Sequence, residues 1–286
     1  MASEAAFEPK EGSMEVVYVE DPGGAKMKLQ LIDGQYYPTF PTEVIRNLHS
    51  LKIREDDVVL AGYLKTGTHW VWEILRMLLA GSTEVSDAEK DQGMIEQTEQ
   101  SVLDAMPSPR VLNTHIVYLT RNPKDVAVSL YHHHKKLQDY YCYDGTFENY
   151  LHLFVEGKVD YGSWFKHIKN WSVAARQSDL MVLEVNYEDM SKNPTEQIQR
   201  MAAFLDLNPS DDLINSIKSE CSLDRMRDKK GKYDLDAEGK SIMYRKGQVG
   251  DWKNYFNDTT NSWFDAVYQK EMAAIETTFH WAFELE

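Results

Sequence analysis

Apolar residues form short continuous runs and longer periodic segments along the chain. A continuous apolar run at 57–63 is typical of a buried strand. After a polar loop, apolar residues recur every three or four positions through 68–80, which predicts a helix. The same succession returns as a strand at 117–120 and a helix at 124–136. Strands alternating with helices favour a central, mostly parallel sheet flanked by helices, so we expect a single α/β domain.

The remaining chain is organised by the same patterns. The residues before about 40 are polar and rich in glycine, proline and charge, and they predict an irregular arm. We place this N-terminal arm at 1–35 and the domain at 36–286. Further strands are predicted at 111–114 and 180–187, and further helices at 41–53, 145–155, 161–176, 193–205, 211–218, 222–227 and 262–284.

The loop between the first predicted strand and helix carries Lys65, Thr66, Gly67 and Thr68. A strand, a tight loop and a helix make a P-loop-like unit, in which backbone N–H groups and the helix dipole favour a phosphate. Lys65 adds a positive charge, Gly67 allows close approach, and the two hydroxyls add donors. The motif lacks the Gly-Lys-Ser/Thr of nucleoside triphosphatases. Taken alone, a turn before a core helix explains it almost as well.

A second cation follows another predicted strand. Arg121 stands at the carboxyl end of the strand at 117–120, directly before Asn122 and Pro123. Asparagine is a favourable N-cap and proline is well tolerated in the first helical turn, so a helix begins beside Arg121. This arrangement again suits an anion. A surface salt bridge is the alternative interpretation.

A third basic stretch contains Tyr244, Arg245, Lys246 and Gly247 at the end of a charged loop. Arginine binds phosphate through two parallel hydrogen bonds and lysine adds a point charge, so the pair can clamp a phosphate. A solvated basic turn is the alternative.

His132, His133 and His134 raise the question of a metal site. Successive helical residues point about 100° apart, so three in a row do not share one face. We expect one or two of them to line a cavity or face solvent, and we expect no metal.

Composition limits the ligand and the compartment. The chain has 286 residues and a formal charge of −15, which argues against nucleic acid or an anionic membrane as partner. An anionic ligand therefore needs a local cationic pocket. Two cysteines, no basic or apolar leader, and no apolar run near the roughly 20 residues of a membrane span predict a cytoplasmic protein.

With these stretches in view, the chain resembles the cytosolic sulfotransferases from about residue 35 onward. The matching segments are Tyr-Leu-Lys-Thr-Gly-Thr-His-Trp at 63–70, Pro-Arg-Val-Leu-Asn-Thr-His at 109–115, Arg-Asn-Pro-Lys-Asp-Val-Ala-Val-Ser at 121–129, Tyr-Gly-Ser-Trp-Phe at 161–165, Tyr-Glu-Asp-Met at 187–190 and Arg-Lys-Gly-Gln-Val-Gly-Asp-Trp-Lys-Asn at 245–254.

The resemblance implies sulfuryl transfer from 3′-phosphoadenosine 5′-phosphosulfate (PAPS) to a hydroxyl or amine of a small molecule, without a metal. The desulfated product is PAP. By position, His115 matches the general base and Lys65 the cation at the leaving phosphate. The other implied cofactor-binding residues are Thr66, Gly67, Thr68 and His69 at the 5′-phosphosulfate, Arg121, Ser129, Arg245, Lys246 and Gly247 at the 3′-phosphate, and Trp70, Tyr187, Cys221 and Met243 around adenine. Tyr244 is also implied to bind the cofactor.

The chain departs from the family at several positions. Leu64, His69 and Asn113 replace a proline, a threonine and a lysine of the family pattern. His115 runs directly into the next strand, where the family has a longer, proline-containing loop. The family's short dimer-forming Lys-Thr-Val motif is not apparent at 256–264, so the sequence leaves a homodimer open.

Two other functions remain open from the sequence. One is a catalytically weak nucleotide-binding protein, whose acceptor side is altered by the short connection after His115. The other is a phosphate-transferring kinase, which the missing Gly-Lys-Ser/Thr and missing metal carboxylates disfavour. The presence of both His115 and Lys65 favours the sulfotransferase.

Overall fold

A small antiparallel sheet begins the structure. The computed structural model describes residues 14–85, 90–111, 114–177, 181–231, 235, 239 and 241–273. Strands β1 (Met14–Glu20), β2 (Lys26–Ile32) and β3 (Gln35–Tyr37) pair in the order β1-β2-β3. The predicted irregular structure is therefore wrong for 14–37. The alternation of Lys26-Met-Lys-Leu-Gln-Leu-Ile is the signal that the sequence offered for this sheet, and it buries Met27 and Leu29.

The second sheet is parallel, as predicted, and carries the site. Strands β4 (Asp57–Gly62), β5 (Thr114–Thr120) and β6 (Val182–Asn186) pair in the order β4-β5-β6. The helices among the described residues are α1 (Thr42–Asn47), α2 (Thr68–Ala80), α3 (Gln100–Ala105), α4 (Pro123–Lys136), α5 (Gln138–Tyr141), α6 (Phe147–Glu156), α7 (Trp164–Gln177), α8 (Tyr187–Lys192), α9 (Pro194–Phe204), α10 (Asp211–Glu220), α11 (Leu223–Lys230) and α12 (Asp258–Met272). No helix in the described part of the chain is long and apolar enough to cross a membrane.

Strand β5 replaces the two short strands predicted at 111–114 and 117–120. It runs without a break from Thr114 to Thr120, while residues 112–113 lie outside the described part of the chain. Its side chains alternate between two cores. Val117 and Leu119 pack in the cluster that contains α2, α9 and α10, whereas Tyr118 stacks on Trp171 of α7 with ring centroids 4.6 Å apart. The continuous apolar run is explained by burial of both faces.

The two helices that follow β4 and β5 confirm their predicted starts. Helix α2 begins at Thr68, and Ile74, Leu75 and Leu78 on its apolar face are buried against the sheet. At the start of α4, the Asn122 side chain accepts a hydrogen bond from Lys124 N at 2.9 Å, and Pro123 occupies the first turn. The predicted C-terminal helix at 262–284 is observed from Asp258 to Met272, and its remainder lies largely outside the described residues.

A buried ion pair fixes the amino end of β4. Arg110 Nε donates to Asp57 Oδ1 at 2.7 Å, and Arg110 Nη2 bonds the other carboxylate oxygen. Both side chains are almost fully buried, and Val58 N donates to Arg110 O at 2.8 Å. The pair therefore anchors the segment before β5 to the start of β4.

Removing the cation from this pair should destabilise the protein. Replacing Arg110 by Met removes the positive charge that faces the buried carboxylate of Asp57, and this is expected to lower the free energy of unfolding by about 3–5 kcal/mol in urea denaturation. Arg225→Met is the matched control, because Arg225 is exposed and forms a loose surface pair with Glu220 at 3.9 Å. This variant should lower the free energy of unfolding by at most about 1 kcal/mol. Equal losses in both variants would show that the buried pair does not anchor the strand.

Candidate active site

The loop after β4 presents a helix start at the carboxyl edge of the parallel sheet. Lys65 and Gly67 both have left-handed backbone conformations, with φ values of 64° and 99°. This turn brings the chain into α2, whose N-terminus has no side-chain cap. Amides at an uncapped helix start, together with the helix dipole, favour an anion. A left-handed lysine costs about 1–3 kcal/mol and is typical of functional loops.

Thr66 differs from its predicted role as a hydroxyl donor to the anion. Its side chain is buried, and Oγ1 donates to Tyr63 O at 2.7 Å. The hydroxyl therefore closes the loop on itself. Gly62 makes room for it, because a Cβ at that position would lie 2.8 Å from Thr66 Oγ1.

Arg121 extends from the end of β5 across this loop. Its Nη1 donates to Lys65 O at 2.9 Å, and its guanidinium lies 4.0 Å from the centre of the Tyr187 ring. The residue is buried, yet within the described chain its Nε has no hydrogen-bond partner and it forms no ion pair. The alternative of a surface salt bridge is wrong. A buried cation that lacks a carboxylate is costly unless an anion joins it.

Arg245 and Lys246 share one carboxylate. Asp251 Oδ2 lies 2.6 Å from Arg245 Nη2, and Oδ1 lies 2.8 Å from Lys246 Nζ. Burial raises the pKa of Asp251, but hydrogen bonds from Lys246, Arg245 and Asn254 more than offset this and bring it to about 2. Asp251 is therefore ionised at neutral pH and holds both cations in place.

The predicted ligand-binding residues surround one cavity of about 480 Å³. Thr66 is the exception, since its side chain is directed elsewhere. The cavity is lined by Lys65, Gly67, Thr68, His69, Trp70, Arg121, Ser129, Tyr187, Cys221, Met243, Tyr244, Arg245, Lys246 and Gly247. Three separate stretches of sequence thus converge at the carboxyl edge of the sheet.

The charge of this cavity is opposite to that of the whole chain. Besides the four predicted lysines and arginines, Lys90 also lines it, and Asp160 is the one carboxylate among the described lining residues. The local excess of positive charge meets the requirement for an anion site in a chain of net charge −15.

Part of the cavity has an apolar wall, formed by Trp70, Tyr187, Cys221 and Met243. Trp70 and Tyr187 meet edge to face, with centroids 5.7 Å apart. Burial raises the pKa of the Cys221 thiol to about 12, so this wall residue is neutral. Met243 Sδ lies 3.7 Å from Lys65 Nζ and connects this wall to the cationic loop.

Sequence reasoning missed a further group of aromatic residues that line the cavity. Its aromatic residues come from the chain before α1 and from α5 onward, and their spacing carries no helical or strand signal. These residues are Phe40, Tyr140, Tyr141 and Tyr161, with Pro38, Leu64 and Leu137 beside them. Aromatic and apolar walls with a few polar groups are typical of small-molecule pockets.

The three consecutive histidines of α4 have three different surroundings. His132 is 2.6 Å from the Tyr255 hydroxyl, and His134 is bonded to Asp160 and to Tyr150. His133 lines the cavity. The prediction that these rings point apart, with one facing a cavity, is confirmed.

The backbone of His115 lies far from this edge of the sheet. His115 is the second residue of β5 and pairs with Val58, near the amino end of β4. Arg121 follows six residues later, which corresponds to about 20 Å along an extended strand. The side chain of His115, the predicted base, lies outside the described part of the structure.

Comparison with known proteins places the chain in a family. The sequence model of the sulfotransferase domain matches residues 55–276. The chain belongs to the sulfotransferase family. It is 34% identical to sulfotransferase 1B1 of the dog, over 89% of this chain and 96% of that protein, and 34% identical to mouse sulfotransferase 1B1, over 78% and 85%.

Solved sulfotransferase structures share this fold. Mouse sulfotransferase SULT7A1, crystallised with PAP, superposes with a TM-score of 0.71 at 28% identity, over 86% of this chain and 94% of its own. Retinol dehydratase, crystallised with androsterone and PAP, has a TM-score of 0.67 at 20% identity, over 93% and 92%, which shows likeness of fold alone. The sulfotransferase described here therefore has the α/β architecture expected from its sequence.

Gly67 is required by the loop for two reasons that a mutation can separate. Its φ is left-handed, and a Cβ there would lie 2.8 Å from Tyr187 Cδ2.

Gly81→Ala is the control for Gly67→Ala, because Gly81 also has a left-handed φ of 62° but a Cβ added there would have no atom within 4 Å. In urea denaturation we expect Gly81→Ala to cost about 1–2 kcal/mol from the backbone alone. Gly67→Ala should cost about 1–3 kcal/mol more, because the new methyl group overpacks the site. Equal costs would show that Tyr187 does not constrain the loop.

Proposed function

We propose that this sulfotransferase transfers the sulfuryl group of PAPS to a hydroxyl or amine of a small molecule. The observation that carries the proposal is Arg121, a buried guanidinium that forms no ion pair and whose Nε has no hydrogen-bond partner among the described residues, beside an uncapped helix start. Such a pair suits a ligand with more than one anionic group. The Arg245–Lys246 pair supplies a further cationic position in the same cavity.

The residues present fit this donor. Lys65, Gly67, Thr68 and His69, together with the backbone of Thr66, would hold the 5′-phosphosulfate, because they surround the start of α2. Arg121, Ser129, Arg245, Lys246 and Gly247 would hold the 3′-phosphate. Trp70, Tyr187, Cys221, Met243 and Tyr244 would enclose adenine.

Lys65 is proposed to act on the leaving group. PAPS, when bound, supplies an activated sulfuryl group, and negative charge grows on the oxygen that it leaves behind. A lysine ammonium held in a partly enclosed cavity stabilises such charge more strongly than water does. Its left-handed backbone, fixed by the hydrogen bond from Arg121 to Lys65 O, prepares this position before a ligand arrives.

The assignment of the general base to His115 stays a prediction from the resemblance. A base must reach the proton that it removes, directly or through one water. The His115 side chain lies outside the described part of the structure. The direct run of the chain from His115 through β5, where the family has a longer loop, favours a second candidate function, a nucleotide-binding protein of weak activity.

The aromatic wall is proposed to bind the acceptor. Its residues suit an apolar or aromatic molecule, and turnover separates an enzyme from a protein that only binds nucleotide. Incubation with radiolabelled PAPS and a panel of phenols, steroids, aliphatic alcohols and amines tests this directly. Labelled product supports the enzyme, and PAP binding without product from any acceptor would support the weak binding protein. A cytoplasmic location belongs to the same proposal.

PAP binding tests the role of Arg245. PAP should raise the melting temperature of the protein, because a ligand that binds only the native state stabilises it. Arg245→Ala should weaken PAP by roughly 10-fold or more in calorimetry, since a charge-assisted hydrogen bond contributes about 1.5–3 kcal/mol. The same variant should affect adenosine 5′-phosphate much less, because that nucleotide lacks the 3′-phosphate.

The control for Arg245→Ala is Arg200→Ala, which removes an equal charge from the exposed surface of α9. It should leave both nucleotides unaffected. An equal loss for PAP and adenosine 5′-phosphate in Arg245→Ala would remove this residue from the 3′-phosphate.

Lys65→Met tests the role of the cation in turnover. If its charge acts chiefly in the transition state, kcat should fall by roughly 100-fold while the Kd of PAP rises by much less. Lys158→Met, at an exposed lysine paired with Glu156, should retain the parental kcat and Kd. An unchanged kcat with weaker PAP binding would make Lys65 a binding residue alone.

A further inference from the structure

The main chain around Arg245 is held by a side chain of α11. Arg227 Nε donates to Tyr244 O at 3.2 Å, and Arg227 Nη2 donates to Arg245 O at 3.3 Å. Its third nitrogen, Nη1, donates to Asp224 Oδ1 at 3.2 Å. These two carbonyls belong to the peptide groups on either side of the Arg245 Cα. The planar guanidinium has donors in fixed directions, so one side chain restrains both peptide groups at once.

We propose that Arg227 is a positioning residue, which orients Arg245 toward the 3′-phosphate and so makes the site select nucleotides that carry one. This inference rests on the proposed function, in which Arg245 binds that phosphate. Arg245 lines the cavity, whereas Arg227 is not among the described residues that line it. Arg227 contacts only main-chain atoms of the segment that carries Arg245. It therefore acts through Arg245 and not as a ligand of the nucleotide.

Helix α11 meets this segment at a second point on the same face. Leu223 lies one turn before Arg227 on the helix. A Cβ added at Gly247 would lie 2.7 Å from Leu223 Cδ2. The segment is thus packed against α11 at residue 247 and hydrogen-bonded to it at residues 244 and 245. A shift of the segment toward α11 is blocked, and a shift away from it breaks both hydrogen bonds of the guanidinium.

The far end of the segment is held in a complementary way. Asp125 of α4 accepts hydrogen bonds from Gly250 N at 2.7 Å and from Trp252 N at 3.0 Å. An arginine thus holds carbonyls at one end, and an aspartate holds amides at the other. Between these ends, Asp251 Oδ2 lies 2.6 Å from Arg245 Nη2 and fixes the side chain. Main chain and side chain of Arg245 are both restrained before a ligand binds, which removes an entropic cost of binding.

Arg225 shows what an arginine of α11 does without these contacts. It lies two residues before Arg227, so it points about 200° away around the helix. Its side chain is exposed and makes only a loose pair with Glu220 at 3.9 Å. Substitution of Arg225 removes the same charge from the same helix and leaves the segment untouched. It is therefore the matched control for Arg227.

A long-range attraction between Arg227 and the phosphate is the alternative explanation for any loss of PAP affinity. The two explanations differ in their dependence on Arg245. Attraction by charge persists when the Arg245 side chain is removed, whereas positioning has nothing left to position. A double-mutant cycle separates them, because residues that act through one another have effects that do not add.

The test measures the Kd of PAP and of adenosine 5′-phosphate by calorimetry for the parent, Arg227→Gln, Arg245→Ala and the double variant. Arg227→Gln should weaken PAP by roughly 3- to 10-fold, as expected for lost hydrogen bonds in a partly exposed site. It should change the Kd of adenosine 5′-phosphate by less than about twofold, because that nucleotide does not reach Arg245. In the Arg245→Ala background, Arg227→Gln should change the Kd of PAP by less than about twofold. Arg225→Gln should leave both nucleotides within about twofold of the parent.

Two further measurements separate positioning from a merely structural role. The KM for PAPS should rise in Arg227→Gln by the same factor as the Kd of PAP while kcat stays within about twofold, since the 3′-phosphate takes no part in the transfer of sulfur. Arg227→Lys retains the charge but not the two-carbonyl fork, and it should weaken PAP as Arg227→Gln does. A structural role alone would lower the melting temperature without changing the ratio of the two nucleotide affinities.

A parental Kd for PAP in Arg227→Gln or Arg227→Lys, or an equal loss for both nucleotides, would overturn the inference and leave the proposed function intact. The same loss with and without the Arg245 side chain, or an equal loss in Arg225→Gln, would also overturn it. A parent that binds no PAP would overturn the proposed function and this inference with it.

Discussion

The hydrogen bond from Arg121 to the carbonyl of Lys65 is the contact on which the site depends. It joins the end of β5 to the loop after β4, and it holds a lysine in a left-handed conformation that an unsupported loop would leave. The same guanidinium lies over Tyr187, at the start of α8 after β6. One side chain thus ties together the carboxyl ends of all three parallel strands. Its Nε has no hydrogen-bond partner among the described residues and it forms no ion pair there, so it retains capacity to bind a ligand.

This arrangement explains how an acidic protein can bind an anion. Long-range repulsion from a net charge of −15 is screened over about 8–10 Å at physiological salt, whereas contacts inside a cavity are screened much less. The cations around the cavity therefore outweigh the distant carboxylates. Asp251 orders Arg245 and Lys246, because its two carboxylate oxygens pair with them. Asp125 in turn holds that segment, since it accepts hydrogen bonds from Gly250 N and Trp252 N.

Much of the fold and of the donor side was predictable from sequence because local signals determine it. The periodicity of α2, the Asn122-Pro123 start of α4 and the cations after two strands are all readable within a few residues. The N-terminal sheet was missed because its short alternation lies in a segment rich in charge, glycine and proline, and because its buried residues pack against helices distant in sequence. The aromatic acceptor wall was missed for a similar reason, since Phe40, Tyr140 and Tyr161 converge only through the tertiary fold.

The position of His115 shows why a motif match does not fix geometry. The residues before it match the family, but His115 already belongs to β5, and the register with β4 sets its backbone opposite Val58. Register depends on pairing between strands more than fifty residues apart, so the sequence motif alone does not reveal it.

A crystal structure of the protein with PAP tests the central claim most directly. The account predicts that one phosphate lies at the start of α2 beside Lys65 and the other between Arg121 and Arg245, with adenine against Trp70. It also predicts that Arg121 keeps its hydrogen bond to Lys65 O and that its Nε gains a phosphate partner. Density for PAP elsewhere on the molecule, or an Arg121 that makes no contact with either phosphate, would contradict it.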